Sequence, residues 1–65
     1  MDIRINQQAF SLPEGATVSD ALHAFGATPP FAVALNGDFL ARARHASQAL
    51  TPGDALEVVR PVVGG

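Results

Sequence analysis

Thr17-Val18-Ser19-Asp20-Ala21-Leu22-His23-Ala24-Phe25-Gly26 contains a whole short helix, start and stop included. Thr17 is the expected N-cap. Asp20, three residues on, completes a variant of the capping box. Val18, Ala21, Leu22 and Phe25 fall at i, i+3, i+4 and i+7, which makes one apolar stripe. Gly26 suits the left-handed stop that ends many helices. Two turns do not hold alone in water, so this helix requires a sheet to pack against.

Both flanks supply strands. Upstream, Met1, Ile3 and Ile5 alternate with Asp2, Arg4 and Asn6, the period of a half-buried strand. Asn6-Gln7-Gln8 reads as a turn. Phe10 and Leu12 then alternate with Ala9 and Ser11, giving an N-terminal hairpin that Pro13-Glu14-Gly15 ends. Downstream, Thr28-Pro29-Pro30 excludes helix. Phe31 to Leu35 is continuously apolar and reads as a strand buried on both faces or nearly so. Asn36-Gly37 is a strong hairpin signal, because a type I′ turn needs positive φ at both central residues. Asp38-Phe39-Leu40 is the return strand.

Arg42 to Leu50 reads as an irregular or one-turn helical crossover, with Ala46, Ala49 and Leu50 at helical spacing. Thr51-Pro52-Gly53-Asp54 fits a type II turn. Ala55 to Arg60 is the last strand, with Leu56 and Val58 facing the core and Glu57 and Val59 facing out. Pro61 stops it. The order β-β-α-β-β-β places two hairpins around one helix, with the final strand central and parallel to the first. The expected fold is α+β: a mixed sheet of four to five strands with one helix grasping one face. The other face is solvated or covered by a partner.

Composition narrows the function. The chain has 65 residues, which makes one small domain with little room for an enclosed catalytic pocket. It has no cysteine, which excludes disulfides, a cysteinyl persulfide and thiolate metal sites. Four arginines and no lysine stand against six carboxylates, a net charge of −2. Arg42 and Arg44 alone do not make the basic face that nucleic acid requires. No apolar run reaches the roughly 20 residues that span a bilayer. Met1-Asp2-Ile3-Arg4 does not begin a signal peptide, so the expected location is cytoplasmic. No two histidines or carboxylates are spaced as a metal site, and no nucleophile–base pair stands out. His23, on the polar side of the helix, and His45, in the crossover, read as surface residues.

The remaining signal is the end of the chain, Pro61-Val62-Val63-Gly64-Gly65. Residues 1–60 read as the body and 61–65 as a flexible tail. The tail extends at most about 17 Å, far enough to carry Gly65 into a partner's cleft. Without Cβ atoms, Gly64 and Gly65 pass where other residues clash. A carboxylate is a poor acyl donor. Adenylation by ATP gives it a good leaving group, and a sulfur nucleophile can then leave a thiocarboxylate. That chemistry needs magnesium and placed cations, which this chain does not supply, so the catalysis belongs to partners. Val62 and Val63 gain most if a partner buries them. Phe39 and Val59 on the open face would form a patch with the tail, and such patches mark interfaces. Arg60 is either a partner contact to an acidic groove or a solvated strand-end charge.

The tail, the element order, Val33-Ala34-Leu35-Asn36-Gly37 and Thr51-Pro52-Gly53-Asp54 together resemble the ThiS-type sulfur carriers of the β-grasp, ubiquitin-like group. The resemblance covers essentially the whole chain. It implies that Gly65 is adenylated by a ThiF-like adenylyltransferase using ATP. It implies conversion to a thiocarboxylate with a sulfur donor protein, and delivery of sulfur to a ThiG-like thiazole synthase in thiamine biosynthesis. It implies a carrier rather than an enzyme, with no stably bound cofactor. Pro61 before the tail is also similar to MoaD, the small subunit of molybdopterin synthase, although that relative has a longer helix and chain. Leu40-Ala41-Arg42-Ala43-Arg44 departs from the family pattern in lacking a proline after the return strand. A ubiquitin-like modifier joined through Gly65 to other proteins and a plain β-grasp binding module with an inert tail are the remaining alternatives. Without lysine, such a modifier could not build side-chain-linked chains of itself.

Overall fold

The computed structural model describes residues 1–60. Five strands form one sheet: β1 (Asp2–Ile5), β2 (Gln8–Ser11), β3 (Ala32–Leu35), β4 (Asp38–Leu40) and β5 (Ala55–Val59). Their spatial order is β2-β1-β5-β3-β4. β5 is therefore central. It runs parallel to β1, with Ile5 beside Leu56, and antiparallel to β3, with Ala32 beside Val59.

The helix α1 (Val18–Phe25) starts and stops where its sequence directs. Thr17 Oγ1 accepts the Asp20 N–H, and Asp20 Oδ2 accepts the Thr17 N–H at 2.9 Å, so both halves of the capping box form. Gly26 takes φ 81°, and its N–H returns to the Leu22 and His23 carbonyls. Val18, Ala21 and Leu22 are buried against Ile3, Ile5, Val33, Leu50 and Leu56 in one cluster. Phe25 is half-buried and meets Phe10 of β2 edge to face, at 5.9 Å between centroids. Such pairs add roughly 0.5–1.5 kcal/mol beyond burial.

Three expectations need correction, while the one-turn helical crossover forms as read. The N-terminal turn is Asn6-Gln7 alone, since Gln8 already pairs with Ile5. The strand from Phe31 is not buried on both faces: Val33 is buried, Ala32 is exposed, and Ala34 and Leu35 are intermediate. α1 covers one face of the sheet only, so the apolar run reflects alanines on the open face. In the crossover, Arg42–Arg44 form one turn of 3-10 helix, and Thr17 bridges to Ala49. Of the three residues at helical spacing, Leu50 is buried, while Ala46 and Ala49 are exposed. His45 is not a surface residue but 7 % exposed. Its ring stacks on Phe31 at 6.2 Å, and its Nε2 lies 3.3 Å from the Leu40 carbonyl. The 3-10 turn places the imidazole under the β3–β4 hairpin, where ring stacking and one polar contact satisfy it. His23 is exposed, as expected.

Candidate functional site

The central strand β5 carries the chain toward residues 60–65. Side chains alternate along a strand. Leu56 and Val58 accordingly turn to the helix side, while Glu57 and Val59 turn to the open face. The antiparallel register sets Val59 beside Ala32, and Ala34 beside Phe39. Phe39 is 74 % exposed and Val59 58 % exposed. With Ala32, Ala34 and Gly37 they line one shallow, mostly apolar depression. Short alanine side chains leave the floor low, and Phe39 stands at its side. The β1 half of the same face is polar, with Arg4 and Glu57 lining a separate depression.

Arg60 is the last described residue. It donates through its guanidinium to Thr28 Oγ1, in the connection between α1 and β3. That contact lies on the helix side, away from the Phe39–Val59 depression. The structure thus brings Phe39 and Val59 together and sets Arg60 apart from them. Pro61, Val62, Val63, Gly64 and Gly65 lie outside the described residues.

Sequence reasoning missed the residues that hold the two ends of β5. Asn36 sits at φ 50° in the β3–β4 turn. Its amide donates to Asp54 Oδ1 at 3.0 Å and accepts the Ala55 N–H at 2.9 Å. Asp54 in turn accepts the Thr51 N–H at 2.8 Å and the Thr51 hydroxyl at 3.0 Å. Burial works to raise the Asp54 pKa. The Thr51 N–H, the Asn36 amide and the Thr51 hydroxyl outweigh it and hold the carboxyl below its ordinary range. At the opposite end, Asn6 sits at φ 51° in the β1–β2 turn. Its side chain accepts the Val58 N–H at 2.8 Å and donates to the Val58 carbonyl at 3.1 Å. Asparagine at a turn was the available signal, because it tolerates the left-handed region.

Among the described residues, no group of three or more His, Asp or Glu side chains is placed to hold a metal. No buried side-chain polar atom there lacks a partner, so none waits for a ligand. No described helix is long and apolar enough to cross a membrane.

A mixed five-strand sheet in this order, with one helix across one face, defines the β-grasp class. Comparison with known proteins narrows the class. The ThiS family model matches residues 3–65, and the chain belongs to the ThiS family, whose members are sulfur carriers rather than enzymes. The crystal structure of the thiamine biosynthesis protein ThiS from Geobacter metallireducens is similar, with TM-score 0.83 and 26 % identity over 100 % of both chains. The NMR solution structure of a thiamine biosynthesis protein from the same species gives TM-score 0.78 and 26 % identity, covering 100 % of this chain and 88 % of that one. None of the curated proteins matches the chain.

Proposed function

We infer that this protein carries sulfur for thiazole formation in thiamine biosynthesis, as a thiocarboxylate on Gly65. The observation that carries the reading is the family match, which runs from residue 3 to the terminal diglycine. The name of the similar Geobacter protein supports the pathway. Residues 1–60 act as the body and residues 61–65 as the tail that enters partner active sites. A ThiF-like adenylyltransferase activates the end. A Gly65 carboxylate oxygen bonds to the α-phosphorus of ATP, and the bond to pyrophosphate breaks. Hydrosulfide, supplied by a sulfur donor protein, then attacks the carbonyl carbon. AMP leaves with the former carboxylate oxygen, a proton goes to solvent, and the thiocarboxylate remains. A ThiG-like thiazole synthase takes the sulfur. Pro61, Val62, Val63 and Gly64 thread the partner's channel. Phe39 and Val59 form the partner face, because a depression beside the strand end can be covered while the tail is engaged. Arg60 lies at the root of the tail. ATP is consumed by the partner, which fits a cytoplasmic setting.

Mass spectrometry tests the reading. After incubation with the adenylyltransferase, ATP and the sulfur donor, the intact chain should gain the mass of one sulfur-for-oxygen exchange at Gly65. Deletion of Gly65 should abolish the gain. High-mass adducts on other proteins would favour a modifier instead. Loss of the gene should create a thiamine requirement; a molybdenum-enzyme defect in its place would move the protein to a MoaD-like role.

A further inference from the structure

β1 stops at Ile5, yet its parallel partner β5 runs on to Val59. A strand's backbone groups point alternately to its two neighbours, so beyond Leu56 this side of β5 has lost its ladder. The Asn6 N–H makes the last backbone bond, to the Leu56 carbonyl at 2.9 Å. The Asn6 side chain then meets both polar groups of Val58, at 2.8 and 3.1 Å. A carboxamide carries the same donor and acceptor as a peptide group. Asn6 therefore extends β1 by one rung without any further chain. On the other side, β3 holds Val59 through its pairing with Ala32. Arg60 adds a contact on the helix side, to Thr28.

We propose that Asn6 is a positioning residue for acyl activation: its side chain clamps β5 at Val58 and fixes where the reaching end of the chain leaves the sheet. The proposal rests on the assignment of chemistry to Gly65. Its physical basis is effective concentration. Once the body has docked, the terminal carboxylate must find one active site, and its local concentration falls as about the −3/2 power of the free length. With β5 held to Val59, the reaching segment is residues 60–65. Without the clamp β3 alone holds Val58 and Val59, and when that one-sided pairing frays the reaching segment starts at residue 58, a third longer and without its fixed starting direction. Length alone lowers the effective concentration by roughly 1.5-fold, and the lost orientation brings the fall to roughly two- to fivefold. The loss falls on kcat. KM follows docking of the body, assigned above to the Phe39–Val59 face, whose lining does not include Asn6.

The discriminating variant is Asn6→Gly. Glycine takes φ near 50° without strain, so the turn survives while the clamp is removed. Asn36→Gly is the matched control, since it removes the equivalent side chain from the start of β5. Adenylation is followed as pyrophosphate release with the cognate ThiF-like enzyme and ATP, at equal concentrations of folded protein. Asn6→Gly should lower kcat two- to fivefold with KM unchanged, and Asn36→Gly should change neither. Amide hydrogen exchange gives a readout independent of any partner. Asn6→Gly should speed exchange at Val58 by tenfold or more and leave Ala55 alone, and Asn36→Gly should do the reverse. Unchanged exchange at Val58 overturns the clamp whatever the partner does. Faster exchange with unchanged kcat, or an effect on KM alone, overturns the positioning role. If the wild-type chain is not adenylated, the assignment to Gly65 falls, and exchange still decides whether the clamp exists.

Discussion

The two hairpin turns make an instructive pair. Each has asparagine at its first central position, Asn6 at φ 51° and Asn36 at φ 50°. Each asparagine reaches across to β5 and bonds its backbone. Their surroundings differ. Asn36 works within a network that includes Asp54 and Thr51, so it locks the entry to β5 at several points. Asn6 works alone and grips a single residue, near the exit. The same residue at the same turn position thus joins a network at one end of β5 and makes a single clamp at the other.

Asn36→Ala should give the largest effect. It loses two side-chain hydrogen bonds and forces alanine into the left-handed region. At roughly 0.5–1.5 kcal/mol per bond and 1–2 kcal/mol for the backbone, the total is about 2–5 kcal/mol in urea unfolding. A loss below 1 kcal/mol would mean that water replaces the network. Asn36→Gly and Asn6→Gly keep the turn and should each lose about 1–3 kcal/mol. Near-equal unfolding midpoints, alongside unequal kcat, would sharpen the contrast between the two ends.

Acid should separate the ends as well. Hydrogen bonds hold the Asp54 carboxyl below its ordinary value of 3.8. Its contribution is therefore present above the unfolded pKa and is lost as pH falls through the folded one. Acid titration of stability should flatten in Asn36→Gly, which has lost one of those bonds. The curve for Asn6→Gly should run parallel to the wild type, because no carboxylate takes part in its clamp. The smallest effect concerns the second turn position, where Gln7 adopts φ 70° and Gly37 φ 89°. Gln7→Gly removes the left-handed penalty and should raise the thermal midpoint, by up to about 1 kcal/mol of added stability. A fall would show that Gln7 has a compensating contact.

What the sequence disclosed was what neighbours within one element decide. Thr17, Asp20 and Gly26 delimit α1 through contacts three or four residues apart. Asn36-Gly37 specifies its own turn, and alternation in β5 sorts Leu56 from Val59. Longer-range facts were hidden. Asn6 bonds a residue 52 positions away, and Arg60 one 32 positions away, so no local pattern announces either pair. His45 lies in a crossover without periodicity, and docking against Phe31 buries it. Alanines in β3 are apolar by type yet face solvent, which made a half-exposed strand look fully buried. For the candidate site, alternation placed Val59 and Phe39 on the open face, while the separation of Arg60 from them required the position of Thr28.

Strand order also has a consequence for synthesis. Among the described strands β5 is the last to leave the ribosome, but it occupies the middle of the sheet. Until it inserts, the β1–β2 hairpin and the β3–β4 hairpin share no edge, and the core lacks Leu56. A nascent chain halted before β5 therefore keeps two unjoined halves, and the sheet closes only once residues 55–59 have been made. Completion of the core therefore waits on the insertion of one central strand.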